Sequence, residues 1–234
     1  MGVVSKRGRP RRKFRRKRGA TLSQKRRKIS AMLNKHLHRR WGDNEDMLIF
    51  TTATGTGPGF KTKELVFQLN HVTQYNELKT MYDQYKINFV EIYMTWSPTL
   101  LPVAHTATGG PSYRAGVIPP CLKVFHIADY DDSDPLSLEQ FKERAKTKLT
   151  LLKPMQKKKI VVKPAVLSQI YETLTSTGYA PKWNVKLDSN DDSVPHYSYK
   201  FGVVEPEGLG STDLLTLGKI DFEIRYNLTM FNTK

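Results

Sequence analysis

The sequence predicts an all-β domain of antiparallel strands with short helices in its connections, preceded by a strongly basic arm. Three observations predict it. Charge divides sharply along the chain: 17 of the 38 Lys and Arg fall in residues 1–40, which hold no Asp or Glu, leaving 21 basic residues against all 22 acidic ones beyond. The 234-residue chain then carries repeated short runs rich in β-branched and aromatic residues, the sequence mark of strands. Finally, Gly- and Pro-bearing connections of very unequal length separate these runs, without the regular helices that parallel strands require between them.

The arm divides in two. Residues 1–20 contain Lys6, Arg7, Arg9, Arg11, Arg12, Lys13, Arg15, Arg16, Lys17 and Arg18, with little that is apolar, so like-charge repulsion predicts disorder. Across residues 21–41, Ile29, Met32, Leu33, Leu37 and Trp41 recur at steps of three or four, which predicts an amphipathic helix. Lys25, Arg26, Arg27, Lys28, Lys35, Arg39 and Arg40 line its other faces. Gly42-Asp43-Asn44 interrupts the pattern, so the expected division is an arm of 1–42 and a domain of 43–234.

Within the domain, 47–52 reads as a first short strand and 54–59 (TGTGPG) as a loop lacking the Lys-Ser/Thr ending of a phosphate loop. Residues 63–70 alternate and predict a strand, and 72–82 has the spacing of a short helix. Residues 85–96 (YKINFVEIYMTW) give the strongest β-signal, ended by Ser97-Pro98. After the long loop 99–120, strands are expected at 121–127, 146–152, 157–162, 182–187, 197–204 and 215–230. Ser137 and Gln140 form a capping-box pattern that predicts a short helix over 138–145. About eight strands in this arrangement predict a single eight-stranded antiparallel jelly roll.

Searches for reaction chemistry return no constellation. The six histidines have no zinc-site spacing, and the chain lacks a nucleophile elbow and a Walker motif. The lone Cys121 cannot form an internal disulfide and reads as a small buried hydrophobe. Asp129, Asp131, Asp132 and Asp134 lack the pattern of a calcium loop and read as a solvated turn, with the acidic half of a subunit contact or a weak cation site between subunits as the sharper alternatives. No catalytic residue, metal or cofactor is expected, and no apolar run is long enough to span a membrane.

The arm's chemistry points to a polyanion. Each Lys or Arg that neutralises a phosphate releases counterions, so binding is multivalent, salt-sensitive and indifferent to sequence. The expected contacts are the seventeen basic residues named above, with Lys157-Lys158-Lys159 as a second candidate. Arg11, Arg12, Lys13, Arg15, Arg16, Lys17 and Arg18, together with Lys25, Arg26, Arg27 and Lys28, also match nuclear localisation clusters. The alternative is a cellular ribosomal or chromatin-associated protein, although such proteins spread basic charge over the body. A membrane-active segment over 23–41 is a further reading.

The order of features resembles the capsid proteins of circovirus-like circular single-stranded DNA viruses. An Arg-rich N-terminus is followed by a strand at Leu65–Asn70, an aromatic strand ending in Trp96-Ser97-Pro98, the segment Lys163-Pro164-Ala165-Val166-Leu167, and a terminal strand at Ile220–Phe231. The resemblance implies a non-enzymatic coat protein, about sixty copies of which assemble into a small icosahedral shell with arms inward on a single-stranded DNA genome. At +17 per arm, about 60 copies supply roughly 1,000 positive charges, enough to neutralise half or more of a genome of about 1–2 kilobases. The resemblance further implies nuclear import receptors, a host surface receptor, residence in the virion and, during assembly, in the host nucleus. Loops 99–120 and 205–213 are the expected exterior.

Overall fold

The computed structural model describes residues 35–48, 60–98, 121–131, 134–172, 177–204 and 218–233. Its spine is the pair made by β4 (Tyr82–Ser97) and β12 (Lys219–Thr233), antiparallel from Lys219 opposite Ser97 to Thr233 opposite Tyr82. Alternation places Tyr85, Ile87, Val90, Ile92, Met94 and Trp96 of β4 inward, against Ile220, Phe222, Ile224, Tyr226, Leu228 and Met230 of β12, and all are buried. A register shift at Asn227/Leu228 opens the ladder locally, and Asn88 fills it by donating to Asn227 Oδ1 at 2.9 Å and Thr229 Oγ1 at 2.8 Å.

The outer edge of β12 carries two strands end to end, β1 (Lys35–Trp41) and β2 (Glu45–Leu48). The joint between them is Gly42, whose amide donates to the Ile224 carbonyl at 2.8 Å. A Cβ there would lie 2.3 Å from the Tyr226 ring, so only glycine lets the chain pass over it. The far edge of β4 likewise carries β7 (Lys157–Val162) and β10 (Leu187–Asp188). The first sheet therefore has four ranks: β1/β2, β12, β4 and β7/β10.

The second sheet runs β3 (Phe60–Phe67), β11 (His196–Val204), β5 (Leu122–Ala128) and β6 (Lys148–Leu152). A ribbon of β8 (Ala165–Glu172) and β9 (Thr177–Trp183) joins it where Ala165 faces Tyr197. Two antiparallel sheets of four ranks, between which the chain crosses repeatedly, are the expected eight-stranded jelly roll. Its twelve strands among the described residues arise from the two divided edge ranks and the added ribbon. The sheets meet through one core, in which Phe201 of β11 lies 5.1 Å from Phe222 and Phe67 of β3 lies 5.8 Å from Tyr226, edge to face.

Helices occupy connections, as expected. Helix α1 (Tyr75–Met81) buries Leu78. Helix α2 (Leu138–Glu143) begins with the predicted capping box: Ser137 Oγ accepts from the Gln140 amide at 3.2 Å, and Gln140 Oε1 accepts from the Ser137 amide at 2.8 Å. Phe141 packs with Ile127 and Leu136 against the outward face of the second sheet.

Two expectations need correction. The helix expected over 21–41 does not exist at Lys35–Trp41, which is strand β1; residues 21–34 lie outside the described residues, as does the disorder expected for 1–20. Leu37 satisfies the helical spacing but also the period-two row Lys35, Leu37, Arg39, Trp41, and the edge of β12 offers that row a full ladder of hydrogen bonds. On the opposite side, His36 and His38 settle on Tyr82, with ring centroids at 5.2 and 5.4 Å. The division consequently falls at 34/35 rather than 42/43, since Lys35–Lys234 form one compact unit.

Candidate nucleic-acid interface

Strand β1 gives the sheet's outward face its chemistry. Lys35, Leu37, Arg39 and Trp41 point one way, while His36, His38 and Arg40 point the other, with His38 Nε2 3.2 Å from the Tyr82 hydroxyl and Arg40 Nη1 donating to Gln74 Oε1 at 3.4 Å. Burial first, then the nearby charges of Arg40 and His36, lower the pKa of His38. Of the three candidate contacts among the described residues, Lys35 and Arg39 share the outward face and Arg40 does not. The other fourteen, from Lys6 to Lys28, lie outside the described residues.

Register brings further cations to that face. Trp41 pairs with Arg225, Arg225 with Glu91, and Glu91 with Val161; one row on, Glu223, Tyr93 and Lys159 stand side by side, followed by Asp221, Thr95 and Lys157. Lys157 and Lys159, flagged by sequence as a second phosphate contact, thus join Arg39, whereas Lys158 alternates to the opposite side of β7. Glu91 is the hub: Arg39 donates to it at 2.5 Å, Lys159 at 2.8 Å and the Tyr93 hydroxyl at 3.0 Å. Burial alone raises the Glu91 pKa, but the hydrogen bonds from Lys159, Arg39 and Tyr93 outweigh it and bring the carboxyl down to about 2. Lys157 pairs with Glu223, and Lys219 bridges Asp221 at 2.7 Å and Asp46 at 3.2 Å.

The end of the sheet where residue 35 enters is different. Lys35, Lys86 and Lys186 gather there, and none has a carboxylate partner among the described residues. Burial first, and then the charges of Lys35 and Lys186, depress the Lys86 pKa. Lys186 Nζ rests 4.1 Å from the Phe231 ring centroid. Lys86, Lys186 and Arg225 carry no signal in sequence, because none lies in a run of basic residues. Only the strand register makes them neighbours.

The second sheet handles polar groups in another way. His126 is buried, its Nδ1 2.9 Å from the Tyr199 hydroxyl and its Nε2 2.8 Å from Thr150 Oγ1, and burial pushes its pKa down to about 4, helped by Lys148 and Lys158. Asp129, expected in a solvated turn, is instead buried and accepts from Arg144 at 2.5 Å and pairs with Lys200 at 3.1 Å. Burial raises its pKa, and the Lys200 and Arg144 contacts more than reverse this. Cys121 is half-buried just before β5. Among the described residues no group of carboxylate, His and Cys side chains could hold a metal ion, and no helix is long and apolar enough to cross a membrane.

A family model described as circovirus capsid protein matches residues 5–230, nearly the whole chain. The chain belongs to this family. It is thus a capsid protein, a structural component of a virion and not an enzyme. No curated protein matches it in direct sequence comparison. The capsid protein's fold is similar to that of the BFDV capsid protein crystallised as a 60-mer, with a TM-score of 0.55 and 15% identity over 85% of this chain and 95% of that one. The decameric BFDV capsid protein gives 0.44 and 15% over 84% and 99%, and a tobacco necrosis virus chain gives 0.37 and 12% over 86% and 97%.

Proposed function

We propose that this capsid protein assembles about sixty copies into a small icosahedral shell and packages single-stranded DNA through residues 1–34 together with the sheet face that β1 enters. The observation that carries the reading is continuity of charge. Fourteen Lys and Arg in residues 1–34, with no acidic residue, lead directly into Lys35, which stands with Lys86 and Lys186 in an uncompensated cluster. From residue 35 onward the chain holds 24 basic and 22 acidic residues, a balance that lets like subunits pack closely. The similarity of fold to a capsid protein that crystallises as a 60-mer supports the shell.

The clusters Arg11–Arg18 and Lys25–Lys28 also serve nuclear import in this reading, so assembly takes place in the host nucleus, and a host surface receptor meets the exterior. Binding is governed by salt and not by base sequence. The test is electron microscopy of purified protein mixed with circular single-stranded DNA, followed by nuclease treatment. The expected result is shells of one size with protected DNA, and shells without protected DNA when residues 1–34 are removed. Persistently monomeric protein overturns the shell; undiminished protection after the truncation overturns the role of the arm.

A further inference from the structure

We infer that Trp41 and Arg225 form a base-stacking platform on the outward face of the first sheet, which makes this face a site for unpaired bases and the bound polymer single-stranded. The inference deepens the packaging reading and rests on it. Outward positions of β1 alternate cation and apolar group: Lys35, Leu37, Arg39, Trp41. Successive outward residues of a strand stand about 6.6–6.8 Å apart. Leu37 is 72% exposed and Trp41 41% exposed, so apolar surface is held open to solvent between positive charges.

Exposed tryptophan in an edge strand needs support to keep one orientation, and here it has it. The Arg225 guanidinium lies 3.9 Å from the Trp41 ring centroid, covering one face, and the Tyr93 ring is 6.1 Å away. Tyr93 itself is already capped, with Lys157 Nζ 5.0 Å and Lys159 Nζ 5.5 Å from its centroid. Of these two rings Trp41 is therefore the one with surface left to offer. On the same face stand Arg39, Lys157 and Lys159, each held in place by a carboxylate partner.

Sheets that bind single strands combine cations along the backbone path with aromatic rings on which bases stack, and stacking tolerates any base because every base has a π-face. A duplex cannot use such a ring, since its bases are already stacked on one another. The chemistry thus separates two contributions: cations take phosphates of any polymer, whereas Trp41 takes only an unpaired base.

The test compares binding of the full chain to oligothymidylate and to an abasic deoxyribose-phosphate strand of equal length. Each is titrated against wild type, Trp41→Leu and Trp41→Phe, both of which keep an apolar strand residue at the position. The wild type should favour the thymidylate strand by about 5- to 150-fold, the range of one stacked base. Trp41→Leu should remove that preference and leave abasic affinity unchanged, while Trp41→Phe should retain most of it. Equal behaviour of the Leu and Phe variants, or an undiminished preference in Trp41→Leu, overturns the platform. Loss of salt-dependent binding to both strands in the wild type would instead overturn the packaging reading beneath it.

Discussion

The two sheets share one apolar core and turn opposite chemistry outward. On the first sheet, charged side chains stand in solvent: Arg39, Lys157, Lys159 and Lys219 are paired but exposed, and Lys35, Lys86 and Lys186 have no carboxylate partner among the described residues. On the second sheet Lys61, Lys123 and Lys148 are exposed, but one ion pair is internal. Lys200 is 2% exposed and Asp129 5%, beside a face that α2 covers through Phe141. Exposed pairs contribute little to stability and exchange readily for another anion. Buried pairs must stay closed, because opening one strands a charge in a medium of low dielectric. The first sheet is thus free to meet a polyanion, and the second is committed to holding itself together.

The largest test of this contrast is stability. Lys200→Met leaves buried Asp129 short of a cation and should cost about 3–5 kcal/mol in urea denaturation. Lys157→Met, on the first sheet, should leave the midpoint nearly unchanged. Equal costs would erase the distinction between the sheets. Proton linkage comes next. His126 is neutral in the fold with a pKa of about 4 against 6.5 when unfolded. The unfolded chain alone takes up its proton between those values, so stability is full above about pH 6.5 and falls by up to about 3 kcal/mol as pH drops toward 4. His126→Gln should flatten that interval. Glu91, depressed to about 2, loses its contribution only lower, between about 4.5 and 2.

Smaller effects concern binding. Lys35→Ala, Lys86→Ala and Lys186→Ala combined should reduce the slope of log affinity against log salt for single-stranded DNA by about 2, with stability nearly unchanged. An unaltered slope would show that the cluster at the root of the arm touches no phosphate. Glu91→Gln releases Arg39 and Lys159 from their shared partner and should raise single-strand affinity a few-fold at low salt, measured by anisotropy. A fall in affinity would mean that Glu91 positions these cations more than it neutralises them.

The strands of the spine were legible in the sequence because β4 and β12 are long runs rich in β-branched and aromatic residues. The Ser137–Gln140 capping box was equally plain. Strand β1 was not, since Leu37 and Trp41 satisfy helical and strand periods at once and the deciding partner, β12, lies some 190 residues away. Strands β8 and β9 escaped because Pro164 and Pro181 read as punctuation. Pro181 in fact sits inside β9 opposite Leu167, tolerated because β9 pairs with β8 alone. The same reason limits the candidate site. Its cations at Lys157 and Lys159 are a visible run, whereas Lys86, Lys186 and Arg225 converge only through pairing register.

Placing the division at residue 34 also fixes where the chain can be cut. Removal of 1–40 takes away most of β1, together with the cover His36 and His38 give Tyr82, whereas removal of 1–34 leaves the first sheet whole. The most direct measurement of the central claim is therefore the salt dependence of single-stranded DNA binding by the full chain and by the chain lacking 1–34. Fourteen cations set an upper bound of about 10 on the slope contributed by the arm, and the sheet cluster should leave about 2 after truncation. A steep slope that collapses to that shallow remainder is the expected result. A slope that survives truncation undiminished would contradict the claim and move the polyanion site wholly onto the folded domain.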